Sequence, residues 1–271
     1  MISLTQFFNQ LWLQYTQICP QAVSIHQLFE KAGEPMVNDH LAFRTFADSE
    51  IAIDNLQEEL FTLGYSPLDN YHFKNKKLNA RCYIHQSSPT KIFISELLWL
   101  QLSDQTQEII QPIITQISEH ISTYKNVNLN AGRLWQLPDY ADYQRLLKES
   151  EYAAWLSVWG LRANHFTLFI NYLKQYPNLQ LVVDLLVEQG YKLNNAGGII
   201  KGTEQDKLIQ ASTLADKVEV IFADAGAQKI SSCYYEFAQR FEQDNGQLFQ
   251  GFVASSADKI FESTNQGFAN D

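Results

Sequence analysis

The sequence predicts an α+β protein in which two β-α-β-β-β modules pair, with additional helices before and between them. Three observations carry this. A strand-helix-strand order appears near the start and returns past the middle of the chain, a weak internal repeat. The segments outside the two copies carry apolar residues at helical spacing. Each copy opens on a strand with a central histidine, His40 in the first and His165 in the second.

Phe7, Phe8, Leu11, Tyr15, Ile18 and Cys19 recur at helical spacing, Pro20 interrupts them, and a second helix is expected up to Phe29. After Gly33 and Pro35 the period changes to two, and Asp39–Phe46 reads as a strand. Residues 49–63 read as a helix, with Ile51, Ile53, Leu56, Leu60 and Phe61 apolar and Gly64 at its stop. Strand-like runs follow at 71–73, 80–85 and 91–97. Residues 103–124 and 139–157 read as helices, separated by a loop with Asn130, Gly132 and Pro138. The second copy has a strand at 163–170, a helix at 177–189, and strands at 191–200, 208–213, 218–223 and 230–239. It is one strand longer than the first. Residues 262–266 read as part of a polar tail. The expected division is a single domain, 1–271. It comprises N-terminal helices (1–35), a first module (36–100), a helical connection (101–160), a second module (161–242) and a C-terminal segment (243–271).

Composition narrows the function. The 271 residues are 45% hydrophobic and 18% charged, which excludes wholesale disorder. Thirty acidic against twenty basic residues give a net charge of −10 and argue against a nucleic-acid or anionic-membrane partner. Three widely spaced cysteines, Cys19, Cys82 and Cys233, read as reduced. The first residues lack the basic and apolar regions of a signal peptide, and no apolar run is long enough to span a membrane. The expected location is cytoplasmic.

The chemistry rests on repeat-equivalent positions. Each copy opens with a strand histidine, His40 or His165, and closes with a strand glutamate, Glu96 or Glu236. Pairing of the copies can bring four such side chains to one cavity. Imidazole and carboxylate together suit divalent iron, manganese, nickel or zinc. Glu236 sits in the aromatic run Cys233–Ala238, where a carboxylate is costly to bury unless it is paired or bound to a metal. His26, His72, His85 and His120 are read as ordinary surface or core histidines. Alternation along the first strand puts Arg44 on the same face as His40. A guanidinium there either pairs with a protein carboxylate or clamps one on a substrate.

Three stretches carry a family resemblance: Val37–Phe46 with its Asn-Asp-His-x-Ala-x-Arg-Thr-Phe run, Ala163–Thr167, and Tyr234–Arg240. Together they resemble the 2-oxoadipate dioxygenase/decarboxylase family, a branch of the vicinal-oxygen-chelate fold that also includes hydroxymandelate synthase. The resemblance implies a curved sheet or half-open barrel built from the paired modules. It implies Fe(II) held by His40, His165 and Glu236, with Arg44 binding substrate and Glu96 left outside the metal shell. The implied reaction takes 2-oxoadipate and O2 to 2-hydroxyglutarate and CO2. Two other readings stay open at this point. One is a glyoxalase-like lyase or isomerase in which Glu96 joins the other three as a fourth ligand to nickel or zinc. The other is a non-enzymatic small-molecule binding protein.

Overall fold

A computed structural model of the chain describes residues 2–124 and 127–264. Two helices open it, α1 (Leu4–Thr16) and α2 (Pro20–Lys31). A reciprocal capping box between Ser3 and Gln6 starts α1, and Pro20 starts α2 at a position whose N–H would be unpaired in any case. The first module follows as β1 (Asn38–Phe46), α3 (Ile53–Thr62), β2 (Tyr65–Phe73), β3 (Leu78–His85) and β4 (Ser88–Leu97). The connection holds α4 (Asp104–Tyr124), α5 (Tyr140–Glu149) and α6 (Glu151–Trp159). The second module is β5 (Ala163–Phe169), α7 (Leu179–Glu188), β6 (Leu208–Ser212), β7 (Lys217–Phe222), β8 (Gly226–Ser231) and β9 (Tyr234–Arg240). A short helix, α8 (Ala254–Ile260), closes the described chain and runs into a 3-10 turn at Phe261–Thr264.

Seven strands form one curled sheet in the order β2-β3-β4-β1-β5-β9-β6, and β7 and β8 form a separate hairpin. The two modules meet where β1 and β5 pair antiparallel at the centre. Within each module the opening strand pairs parallel with the closing one, β1 with β4 and β5 with β9. β1 and β5 are buried almost throughout because both faces of the sheet are covered there. On the outer face, Trp12 and Tyr15 of α1 pack their rings on Phe166, and α3 turns Ile53, Leu56 and Leu60 inward. The inner face carries the histidines and lies beneath the α8 segment.

Four expectations change. The helix expected over 139–157 is two helices, because Ser150 ends α5 and its side chain accepts from Ala153 N to begin α6. The strand expected at 191–200 does not form. Asn194 accepts from Ala196 N in a local turn, and Gly197 and Gly198 take left-handed conformations (φ 72° and 100°), which no extended ladder accommodates. Only isolated bridges remain, Leu193 with Thr213 and Lys201 with Gln210. The strand expected at 230–239 divides between β8 and β9. The expected polar tail is instead packed: Ser263 and Thr264 are buried, while Asn265 and Gln266 lie outside the described residues. Cys19, Cys82 and Cys233 are free and buried. No helix among the described residues is long and apolar enough to cross a membrane.

Candidate metal centre

Three adjacent strands bring the site together. Ala42 of β1 lies opposite His165 of β5, and Thr167 of β5 lies beside both His40 and Glu236. The side chains of His40, His165 and Glu236 therefore meet on the inner face, all buried, with ligand atoms within 4.8 Å of one another. The two Nε2 atoms are 3.3 Å apart. Glu236 Oε1 lies 3.5 Å from His40 Nε2, and Glu236 Oε2 lies 3.2 Å from His165 Nε2. Gln210 of β6 donates to Glu236 Oε1 at 2.5 Å and fixes the carboxylate plane.

Burial sets the charge states. It pushes the His40 imidazole below its ordinary value against the opposing pull of Asp39. It pushes His165 well below, helped by the nearby His40 and Arg44. Both imidazoles are thus neutral, which is the form that binds metals. Burial pushes the Glu236 carboxyl up to about 8. A carboxylate so costly to ionise calls for a cation close by. Glu236 Oε2, Gln210 Oε1, Tyr234 Oη and Arg44 Nε are buried with no hydrogen-bond partner in the protein. Two neutral imidazoles with converging Nε2 atoms and one carboxylate with an unsatisfied oxygen fit a divalent metal ion of the iron, manganese or zinc type.

Arg44 and Glu96 have different fates. Arg44 lies behind this cluster, fully buried, with Nη1 on both oxygens of Glu151 (2.9 and 3.2 Å) and Nη2 on Thr264 Oγ1 (2.9 Å). Its guanidinium also lies over the rings of Tyr152 and Trp155. The pairing with a protein carboxylate is therefore realised, and Nε is left over. Glu96 is not brought to the cluster. It sits on the opposite face of β4, where Oε2 accepts from Ile53 N at the start of α3 (3.0 Å). The register explains the mismatch. Glu236 pairs with Thr167, two residues after His165, and the matching position two residues after His40 is Ala42, which pairs with Phe93. Phe93, not Glu96, is the repeat equivalent of Glu236. The four-ligand lyase reading thereby loses its fourth ligand. His26, His72, His85 and His120 find Glu30, Asn79, Ser87 and Tyr124 as neighbours, away from the cluster.

Sequence reasoning missed four features. Asp39 accepts from His40 Nδ1 (2.8 Å), and Asn164 Oδ1 stands 3.3 Å from His165 Nδ1. The signal was present as an Asx-His dipeptide in each copy. Tyr234 stacks on His165 with ring centroids 4.7 Å apart, and lies in a stretch whose one candidate site residue was Glu236. Gln210 carried no signal. Nor did the lid residues: Phe252 meets His40 edge-on at 4.7 Å, and Ile260 and Phe261 close the cavity beside it. What remains open is about 20 Å³, room for about one water.

Comparisons with known proteins fall in line with this geometry. The sequence model of the 2-oxoadipate dioxygenase/decarboxylase family matches residues 9–246. A chloroplastic 2-oxoadipate dioxygenase/decarboxylase of Arabidopsis thaliana is 36% identical over 284 residues, covering 95% of this chain and 76% of the relative. The crystal structure of hydroxyglutarate synthase from Oryza sativa, in complex with 2-oxoadipate, superposes with a TM-score of 0.86 at 32% identity, covering 96% of this chain and 91% of that one. A glyoxalase-superfamily protein of Ralstonia eutropha shares the fold, with a TM-score of 0.70 at 20% identity over 89% of this chain and 83% of that one. The Arabidopsis relative corrects the expected cytoplasmic location, because it is a plastid protein. Acidic charge and reduced thiols fit any reducing compartment and single out none.

Proposed function

The chain belongs to the 2-oxoadipate dioxygenase/decarboxylase family, and we propose on that premise that His40, His165 and Glu236 hold a divalent iron at which 2-oxoadipate and O2 are converted. The observation that carries the reading is the convergence of the two Nε2 atoms and the Glu236 carboxylate, with Phe93 in the fourth position. A two-histidine, one-carboxylate set is the ligand set of non-haem Fe(II) oxygenases. It suits an oxygenase better than a lyase that needs a second carboxylate.

The reaction balances without a further co-substrate. The carbons of 2-oxoadipic acid divide between 2-hydroxyglutaric acid, which is one carbon shorter, and CO2. Every hydrogen stays with the hydroxy acid. The bond between the C1 carboxyl and the C2 keto carbon breaks, and the C1 carboxyl leaves as CO2 with its own two oxygens. Both atoms of O2 enter the hydroxy acid, one in the new carboxyl at the former keto carbon and one in the hydroxyl. Bound iron supplies the oxygen chemistry that amino-acid side chains lack. The protein's own groups do the rest. Gln210 holds the Glu236 carboxylate in its plane. Phe93, Phe252 and Phe261 keep the cavity dry, which strengthens every charge interaction inside it. Arg44, held by Glu151 and Thr264 with its Nε unpartnered, is the cationic anchor we assign to a substrate carboxylate. The cavity of about 20 Å³ is too small for a six-carbon diacid, so the Phe252–Phe261 segment shifts when substrate enters.

The test is anaerobic loading with Fe(II), addition of 2-oxoadipate, admission of air, and parallel assay of O2 uptake and 2-hydroxyglutarate. The expected result is one product per O2, abolished in His165→Ala. One metal bound per chain with no O2 uptake on 2-oxoadipate or related 2-oxo acids would overturn the reading.

A further inference from the structure

The two histidines are held from behind by different chemistry. His40 Nδ1 lies 2.8 Å from Asp39 Oδ1, and Asp39 is fully buried. Neighbours along a strand ordinarily point to opposite faces. Here a register irregularity in β1 between Asn38 and His40 relaxes that rule and lets the two side chains meet. Arg240 of β9 grips the same carboxylate with a fork, Nε to Oδ2 at 2.6 Å and Nη2 to Oδ1 at 2.9 Å. Its remaining Nη1 donates to the carbonyls of Phe249 (2.9 Å) and Gly251 (2.8 Å), so every guanidinium nitrogen is used. At His165 the equivalent residue is Asn164, a neutral amide at the longer distance of 3.3 Å.

We infer that Asp39, clamped by Arg240, is the positioning residue of the metal centre. It fixes His40 as the Nδ1–H tautomer, aims Nε2 into the cavity, and makes His40 the stronger of the two imidazole donors. The inference rests on the reading of His40 as a ligand and goes beyond it by ranking the two histidine arms. A carboxylate behind an imidazole raises its basicity and locks its ring, whereas an amide only orients it. The Arg240 fork engages both oxygens of Asp39 and holds the carboxylate immobile behind His40. The same arginine holds the carbonyls on either side of Gln250, just ahead of Phe252, whose ring stands against His40.

The experiment uses the full chain and titrates Mn(II) and Co(II) calorimetrically into wild type, Asp39→Asn, Asn164→Ala and the pair Asp39→Asn/Arg240→Gln. The paired variant removes the buried cation that Asp39→Asn alone would strand, so it keeps the test open if the single variant folds poorly. Metal affinity is expected to fall about 10–100-fold in both Asp39 variants and clearly less in Asn164→Ala. Nitrogen-15 shifts of the histidine rings in the metal-free protein supply a readout that a merely structural role would not move. His40 is expected as pure Nδ1–H tautomer in wild type and as a mixture in the paired variant. A folded paired variant with wild-type affinity and an unchanged His40 tautomer would overturn the inference. A wild-type chain that bound neither ion would overturn the metal reading instead, and the ring shifts would still decide the role of Asp39.

Discussion

The two modules begin alike and end differently. β1 and β5 each carry a histidine preceded by an Asx residue, and each pairs in parallel with the closing strand of its module. At the matched position on that closing strand, the first module has Phe93 and the second has Glu236. The shared backbone thus offers four places around one cavity, and one side chain decides whether the cluster offers three candidate metal ligands or four. Phe93 also packs on Phe252, so the matched place in the first module is part of the cavity's apolar wall.

The largest effect is expected from removing the one proposed ligand that differs between the modules. Glu236→Ala should weaken Fe(II) or Mn(II) binding by well over ~100-fold, more than loss of an outer-shell partner costs, and abolish O2 uptake. Retained metal by calorimetry would break the comparison at its centre. The converse change sharpens it. Phe93→Glu puts a carboxylate where the second module has one, and should favour Ni(II) or Zn(II) over Fe(II) while cutting 2-oxoadipate turnover at least about tenfold. Without metal the variant should lose roughly 3 kcal/mol in urea unfolding, for the lost ring and the buried acid. Wild-type turnover in Phe93→Glu would show that the two positions are not equivalent.

The second difference lies at the far edges of the two modules. The first ends in the nine-residue β2, whereas residues 193–201 of the second make only isolated bridges. Lys201 is buried there, its ammonium resting on the carbonyls of Asn194 and Ile199, and burial lowers its pKa to about 8. The unfolded chain, with a lysine pKa near 10.4, therefore binds more protons than the folded one between about pH 8 and 10. Stability should rise with pH across that window. Lys201→Met should flatten the rise and add on the order of 2 kcal/mol at pH 7.5, read by urea unfolding at pH 7.5 and 9.5. An unchanged slope would show that the ammonium reaches water.

Most of the fold was legible because strand and helix periods differ, and the repeat order survived in sequence. The histidines were legible for the same reason: each stands in the middle of a module's first strand. Glu96 misled because sequence gives the face of a residue only once the register is known, and a shift of three positions from Phe93 to Glu96 moves the side chain to the other face. Gln210, Glu151 and Phe252 reach the site or its arginine from β6, α6 and the C-terminal segment, and no local pattern marks such long-range partners. The strand expected at 191–200 fails because its Asn-Asn-Ala-Gly-Gly centre turns, with Gly197 and Gly198 at positive φ, whatever the apolar residues at its ends favour.

Glu96 itself offers the smallest and most discriminating test. It and Glu236 are the two strand glutamates that looked alike in sequence, yet only one belongs to the cluster. Glu96 accepts the first N–H of α3, whose N-cap residue Ala52 has no side chain able to do so. A carboxylate at a helix N-terminus satisfies an orphan donor and complements the helix dipole. Glu96→Ala should therefore cost about 1 kcal/mol of stability, the usual toll of a lost N-cap. Metal affinity should stay within about twofold of wild type, because the two sites share no partner. Loss of metal in this variant, with the fold intact by circular dichroism, would restore a four-ligand shell and make the two modules functionally alike.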